Sequence, residues 1–275
     1  MLKKLQCLAK TLDDEIVRDC LCATGTLDDL YQNKNMISVV GGMGVQSYVH
    51  KDYRRPTSDI DLLVGRSLNY AEFKEFSKPV REYLQDNQYN VETGKTSGAY
   101  KLFVSSPETN DNLVIEFGRK NDKNFEKNRR HIERELNNAR KKMIGDRYGT
   151  YSTLAPEDLI LPKLSRCVNT ANRRADLKNK VTTYEMPFIE EFIQRRLKNI
   201  QELRKNAIFN LGDPLIAEEL RFVSDLYDIR ILSELVGYNE DYLNEASKDW
   251  AALNEESSQK ANILRILPKL QLNFH

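Results

Sequence analysis

The chain has 275 residues and a formal net charge of +1 at pH 7, with 40% hydrophobic and 30% charged residues. This composition fits a folded protein with a well-solvated surface. The near-neutral net charge excludes the class of strongly basic chains whose overall charge indicates a nucleic-acid partner. The length permits one large domain or two smaller ones, and we predict two.

The cysteines exclude a common class of metal site. Cys7, Cys20, Cys22 and Cys167 show no C-x-x-C spacing, and the chain has only three histidines, so we expect no structural zinc. No apolar run approaches the length of a membrane span, and the N-terminus lacks the apolar core of a signal peptide. We therefore expect a cytoplasmic protein with no membrane partner.

Apolar spacing predicts the elements of the N-terminal part. An amphipathic helix over 2–22 precedes a buried strand at 36–40, a glycine turn and a helix over 43–50. A short strand follows from Asp59, and a helix over 70–86 contains Pro79, which should kink or split it. Residues 87–98 are polar and turn-rich. Strands at 98–104 and 113–117 should pair as an antiparallel hairpin, and a charged helix should cover 121–143.

The remainder of the chain reads as helical. Pro156 suits the first position of a helix over 154–164, and Pro162 should kink that helix. Further helices are predicted over 188–203, 214–226, 229–235 and 261–267. The expected fold class is α/β (α+β), with a small mixed sheet flanked by helices in residues 1–150 and a helical domain in residues 151–275.

Charge is distributed unevenly along the chain. Residues 119–147 hold eleven Lys/Arg against five Asp/Glu, whereas residues 213–256 hold three Lys/Arg against twelve Asp/Glu. The basic segment can face the phosphates of an RNA, and a solvated helix face is the alternative interpretation.

The strongest chemical signal is a glycine pair followed by two aspartates. Gly41 and Gly42 follow an apolar strand, and glycine allows a sharp turn and a close approach to a ligand. Free N–H groups at the start of the next helix would favour an anion there. Asp59 and Asp61 alternate along a predicted strand, so both project from one face. Two adjacent carboxylates favour a cation such as Mg²⁺, and a phosphate-binding turn beside them suits phosphoryl or nucleotidyl transfer.

Glu116 is the candidate for a third acidic ligand. It interrupts an apolar, strand-like run, where a charge is otherwise unfavourable. It would reach the aspartates only if its hairpin lies beside their strand. A solvent-facing acid on an edge strand is the alternative.

Several motifs together resemble a known family. Gly41-Gly42, Thr57-Ser58-Asp59-Ile60-Asp61-Leu62, the run from Pro156 to Leu164, and Arg174-Ala175-Asp176-Leu177 resemble the ordered motifs of the AbiEii/AbiGii-type nucleotidyltransferase toxins. That family belongs to the DNA polymerase β-like nucleotidyltransferase superfamily. The sequence departs from it in the longer spacing between Gly42 and Asp59, and in having Met43 after the glycine pair.

The resemblance implies a catalytic domain in residues 1–150 that moves an NMP from an NTP onto an acceptor hydroxyl. It implies two Mg²⁺ ions on Asp59, Asp61 and Glu116, with Lys163 contacting the nucleotide's phosphates. Residues assigned to nucleotide binding are Gly41, Gly42, Ser58, Lys163 and Asp176. The implied acceptor is an RNA, plausibly a tRNA, or a protein, and a toxin would have a cognate antitoxin. An aminoglycoside-type nucleotidyltransferase and a catalytically silent nucleotide-binding protein are the alternatives.

Overall fold

The computed structural model describes residues 10–30, 36–109, 111–118, 122–144, 148–173 and 214–255. The chain divides into two compact units, Met1–Ala155 and Pro156–His275. The first unit carries a β-sheet, and the described part of the second is helical.

Seven strands form one mixed sheet in the first unit. In chain order they are β1 (Ile37–Val40), β2 (Asp59–Val64), β3 (Asn90–Lys95), β4 (Ala99–Ser105), β5 (Asn112–Gly118), β6 (Arg140–Ile144) and β7 (Tyr148–Thr153). Across the sheet the order is β3-β4-β5-β2-β1-β7-β6. β1 is antiparallel to β2 and parallel to β7, β2 is parallel to β5, and the other neighbours are antiparallel. The predicted α/β fold class is confirmed.

The strand β2 lies near the middle of the sheet and shows why its sequence forms a strand. Ile60, Leu62 and Val64 are buried, whereas the residues between them are only partly buried. This alternation places the apolar side chains in the core and both aspartates on the other face. The predicted hairpin of β4 and β5 is also present, and β5 lies directly beside β2.

Five described helices accompany the sheet: α1 (Glu15–Leu30), α2 (Gly41–Gln46), α3 (Tyr70–Phe76), α4 (Lys78–Asp86) and α5 (Asp122–Asn137). Pro79 lies in the first turn of α4, so the predicted split of the 70–86 helix is confirmed. The side chains of Asn69 and Glu72 cap the start of α3 reciprocally.

The predicted bounds of the first helix are wrong. Lys10 forms an isolated β-bridge with Thr57, and α1 begins only at Glu15. Asp14 accepts a hydrogen bond from the backbone N–H of Thr11 at 2.6 Å, which closes a turn before the helix. This turn and the strand-like bridge thus override the apolar spacing here. The part of the predicted helix before Lys10 lies outside the described residues.

The predicted helix over 121–143 is also wrong at its C-terminal end. The helix α5 ends at Asn137, and the chain continues as the edge strand β6. Met143, taken as an apolar anchor of that helix, is 73% exposed. Two consecutive asparagines have low helix propensity and favour an end of the helix at this point. The strands β3 and β7 were not predicted, because their sequences are polar and contain glycine.

The core of the first unit lies where α1, α3 and α4 pack on the sheet. Its largest fully buried side chains include Leu21, Phe73, Leu102, Ile115 and Phe117. A second, smaller cluster joins Phe125, Ile132 and Leu136 of α5 to Leu63 of β2. Leu63 shares its face with the aspartates, so α5 packs on the same side of β2 as the candidate site.

The described helices of the second unit are α6 (Pro156–Arg173), α7 (Pro214–Ile231), α8 (Glu240–Ser247) and α9 (Ala251–Glu255), with a π-helical turn over Leu232–Val236. Pro156 occupies the first position of α6, as predicted, and α6 continues through Pro162. The predicted helix over 214–226 extends to Ile231 as α7. The predicted helices over 188–203 and 261–267 lie outside the described residues.

Candidate functional site

The candidate site is built on the face of β2 that carries two carboxylates. Asp59 and Asp61 are both partly buried and project from the same face of the strand. Residues two apart in a strand are separated by roughly 7 Å along the chain. The predicted side-by-side arrangement of the two acids is therefore present in the structure.

The glycine turn lies directly against the second acid. Gly41 begins α2 with a φ of +65°, a conformation that other residues rarely adopt. A Cβ built on Gly41 would lie 2.4 Å from Oδ2 of Asp61. Glycine is therefore required here for two reasons, the left-handed backbone and the carboxylate that fills the adjacent space.

The second glycine faces the residues that precede the acids. A Cβ on Gly42 would lie 3.0 Å from Nη2 of Arg55 and 3.3 Å from the Thr57 side chain. The Thr57 hydroxyl in turn donates a hydrogen bond of 3.1 Å to Oδ1 of Asp59. The glycine pair, an arginine and both aspartates thus lie at one place.

A buried glutamine fixes the segment that leads into β2. The Nε2 group of Gln46, at the end of α2, donates hydrogen bonds to the backbone carbonyls of Arg55 at 2.8 Å and Lys10 at 3.4 Å. Its Oε1 atom accepts from the backbone N–H of Leu12 at 3.0 Å. Lys10 and Thr57 also exchange backbone hydrogen bonds of 2.7 and 2.9 Å. These contacts hold Arg55 and Thr57 beside the glycine pair.

Glu116 is brought beside the aspartates, as the sequence predicted. In the parallel pairing of β2 with β5, Glu116 is the direct partner of Asp61. Neighbouring strands lie about 4.8 Å apart, so paired side chains on one face are close. The carboxylate of Glu116 forms an ion pair with Lys101, its partner on β4.

Burial disfavours the ionised form of the Asp59 carboxyl. It raises the pKa of the Asp59 carboxyl above its ordinary value, and the nearby charge of Glu116 adds to this effect. The Thr57 hydrogen bond and the positive charges of Lys101 and Arg55 act in the opposite direction. A cation bound at this place would favour the ionised carboxyl.

The residues present suit a hard cation held by two aspartates. Carboxylate pairs with room for phosphate oxygens are the usual ligands of Mg²⁺. No group of three or more His, Cys, Asp or Glu side chains in the described part of the chain is arranged to hold a metal ion. Glu116 contacts Lys101 instead, so its role as a third ligand stays a prediction.

The other predicted site residues differ in their surroundings. Ser58 is exposed immediately before Asp59, and Asp176 lies outside the described residues. Lys163 is buried within α6, where its Nζ atom lies 2.8 Å from Oδ2 of Asp228 and 3.7 Å from Oδ1 of Asp225. These partners belong to its own unit, and the predicted contact of Lys163 with phosphates stays a prediction.

The two arginines before β2 have separate environments. Arg54 forms a salt bridge of 2.7 Å with Asp13. Arg55 packs against Gly42 and contributes to the electrostatics of Asp59. Sequence alone offered no basis for separating these neighbours.

The basic segment divides between a helix and a strand. Arg129 pairs with Glu126 on α5. On β6, the Nζ atom of Lys142 lies 3.7 Å from the ring centroid of Tyr48, and Arg140 lies 5.9 Å from the same centroid. An RNA contact by this segment stays a prediction.

Three residues of the site were not predicted from the sequence: Gln46, Thr57 and Lys101. Thr57 was quoted only as part of a motif. The available signal for Gln46 was its polar side chain in an otherwise apolar helical stretch. The available signal for Lys101 was its alternation with apolar neighbours along a strand. Neither pattern is specific, because both depend on partners distant in sequence.

The chain was compared with known proteins and with solved structures. Neither the protein-family models nor the curated proteins gave a match to this chain. The chain is similar to the crystal structure of an antigenic nucleotidyltransferase-like protein from Paracoccidioides brasiliensis, with a TM-score of 0.41, 10% identity and 94% of each chain covered.

None of the described helices combines the length and apolar character that crossing a membrane requires.

Proposed function

We propose that this protein is a metal-dependent nucleotidyltransferase with its active site on β2. The observation that carries the proposal is the contact between Gly41 and Asp61, with Asp59 on the same face of the strand. A glycine turn pressed against a carboxylate pair brings together a place for phosphates and a place for the cation that accompanies them.

Each residue has a defined task in this proposal. Asp59 and Asp61 hold Mg²⁺, and the Thr57 hydroxyl orients Asp59 through its hydrogen bond. Arg55 and the backbone of the glycine pair bind the anionic phosphate tail of an NTP. Bound Mg²⁺ would neutralise phosphate charge and lower the pKa of an acceptor hydroxyl for attack on the α-phosphate, with release of pyrophosphate.

The finer assignment follows the resemblance to the AbiEii/AbiGii-type toxins. Under it, the acceptor is an RNA, plausibly a tRNA, or a protein hydroxyl, and a cognate antitoxin restrains the enzyme. The exposed cations of β6, Arg140 and Lys141, support an RNA acceptor because phosphate contacts dominate RNA affinity.

A transfer assay tests both levels of the proposal. The full-length protein is incubated with each α-labelled NTP, Mg²⁺ and one acceptor pool: total tRNA, total protein or aminoglycosides. Label on RNA or protein supports the toxin-like enzyme, and label on the drug supports the small-molecule enzyme. The variant Asp59→Asn/Asp61→Asn should transfer no label, whereas Asp86→Asn, which changes an exposed acid of the same unit, should behave like the wild type.

A second candidate function is nucleotide binding without catalysis. The ion pair between Lys101 and Glu116 favours it, because a lysine then neutralises the third acid. In that case the protein would bind NTP, measured by calorimetry, and would transfer no label to any acceptor pool. If the wild-type protein neither binds NTP nor transfers label, both candidate functions are contradicted.

A further inference from the structure

A row of charged side chains crosses three neighbouring strands at the candidate site. Lys101 on β4 is the direct partner of Glu116 on β5, and Glu116 is the direct partner of Asp61 on β2. Paired residues on adjacent strands project from the same face. Lys101, Glu116 and Asp61 therefore form one line on the face that also carries Asp59.

The lysine and the glutamate are in direct contact within this row. The Nζ atom of Lys101 pairs with Oε1 of Glu116, and their side chains are only 20% and 24% exposed. Partial burial reduces screening by solvent and salt, so this pair is stronger than an ion pair on the open surface. Within this row, the carboxylate of Glu116 is paired with the ammonium of Lys101.

A metal ion and this ammonium group compete for the same carboxylate. A dication held by Asp59 and Asp61 gains a third ligand if Glu116 turns towards it. The ammonium of Lys101 opposes that step because it already occupies Glu116.

We propose that Lys101 is a built-in competitor for the metal site, which must release Glu116 before Glu116 can ligate a metal held by Asp59 and Asp61. This inference rests on the proposed function, because it assumes that the two aspartates bind a divalent ion. Lys101 is a positioning residue here, acting on the metal through Glu116. It sets the metal concentration at which the three-acid site assembles.

Mn²⁺ binding to the full-length protein, measured by electron paramagnetic resonance without nucleotide, tests this inference independently of activity. The variant Lys101→Met should bind Mn²⁺ about tenfold more tightly or better, because a unit charge close to a carboxylate changes its affinity for cations by an order of magnitude or more. Lys101→Arg keeps the charge and should bind like the wild type. Lys78→Met is the matched control, since it removes an exposed lysine paired with Glu82 and changes net charge equally.

A double-mutant cycle shows whether the effect passes through Glu116. Lys101→Met should no longer tighten Mn²⁺ binding in the Glu116→Gln background, when Lys101→Met/Glu116→Gln is compared with Glu116→Gln, because the third carboxylate is then absent. Unfolding temperature with and without Mn²⁺ provides a second measurement, and the metal should stabilise Lys101→Met more than the wild type.

The outcomes separate this inference from the proposed function. Suppose that wild-type Mn²⁺ binding depends on Asp59 and Asp61, and that Lys101→Met binds Mn²⁺ no more tightly than the wild type. This result overturns the role of Lys101 and leaves the metal site intact. A gain that persists in Lys101→Met/Glu116→Gln, relative to Glu116→Gln, also overturns it. Absence of aspartate-dependent binding in both the wild type and Lys101→Met overturns the metal site and this inference together.

Discussion

The carboxylate of Asp61 occupies the space that a side chain at position 41 would need, since a Cβ on Gly41 would lie 2.4 Å from its Oδ2 atom. The two residues come from different elements, the start of α2 and the middle of β2. Their contact couples the glycine turn to the acid pair. A substitution at either Gly41 or Asp61 should therefore disturb both the glycine turn and the acid pair.

Replacement of Gly41 by alanine should damage both stability and the site. The positive φ of Gly41 disfavours alanine by roughly 1–3 kcal/mol, and the new methyl group must displace Asp61. We expect a lower urea midpoint and weaker Mn²⁺ binding. Gly98→Ala is the control, because a Cβ there meets nothing within 4 Å. Unchanged metal binding in Gly41→Ala would show that Asp61 is not a ligand.

The pH dependence of stability should reveal the buried carboxyl of Asp59. Its pKa in the folded protein is raised, so between the ordinary carboxyl pKa and this raised value the folded state binds more protons than the unfolded state. Metal-free protein should therefore lose stability as pH rises through that window. Chemical denaturation at several pH values measures the effect, and Asp59→Asn should abolish this component.

Addition of Mg²⁺ should oppose this loss at neutral pH, because the cation favours the ionised carboxyl. A wild-type pH profile that is identical to that of Asp59→Asn would contradict the assigned environment of Asp59.

The two adjacent arginines should respond differently to substitution. Arg55→Gln removes a charge beside Gly42 and should weaken NTP binding by about tenfold to one-hundredfold, the range for a hydrogen bond to a charged group. Arg54→Gln removes only a salt bridge to the well-exposed Asp13 and should have little effect. Calorimetric titration with a non-hydrolysable NTP measures both variants. Equal losses would argue for a general charge effect.

Gln46→Leu should loosen the segment that carries Arg55 and Thr57. The substitution removes the side-chain donor to the Arg55 carbonyl and the acceptor of the Leu12 N–H, at a cost of roughly 1–3 kcal/mol. Urea denaturation should detect this loss, and Gln85→Leu, at an exposed position, should show almost none. NTP binding should weaken in Gln46→Leu under conditions where the variant remains folded.

Lys163 offers a test between a structural role and a catalytic one. Lys163→Met removes the buried ammonium that pairs with Asp228 and should destabilise the protein by about 3–5 kcal/mol. Lys163→Met/Asp228→Leu should recover much of that stability, because Asp225 keeps its two hydrogen bonds from Arg166. Normal label transfer by the stable double variant would exclude a phosphate contact by Lys163.

The sequence by itself determined the elements whose signals are local. A β-branched run ending at Gly41 predicted β1, alternation predicted the shared face of Asp59 and Asp61, and Pro79 predicted the break between α3 and α4. These signals act over a few residues, so no distant partner was needed to interpret them. The hairpin that carries Glu116 was predicted for the same reason.

Tertiary structure alone decided which distant groups meet at that face. The ion pair of Lys101 with Glu116, the support of Arg55 by Gln46 and the contact of Gly41 with Asp61 depend on strand register and on how α2 packs. The edge strand β6 was predicted as part of a helix, because its charged sequence carries no strand pattern. Pairing with β7 supplies the backbone hydrogen bonds that make it a strand. Such contacts join residues far apart in the chain, and local patterns contain no record of them.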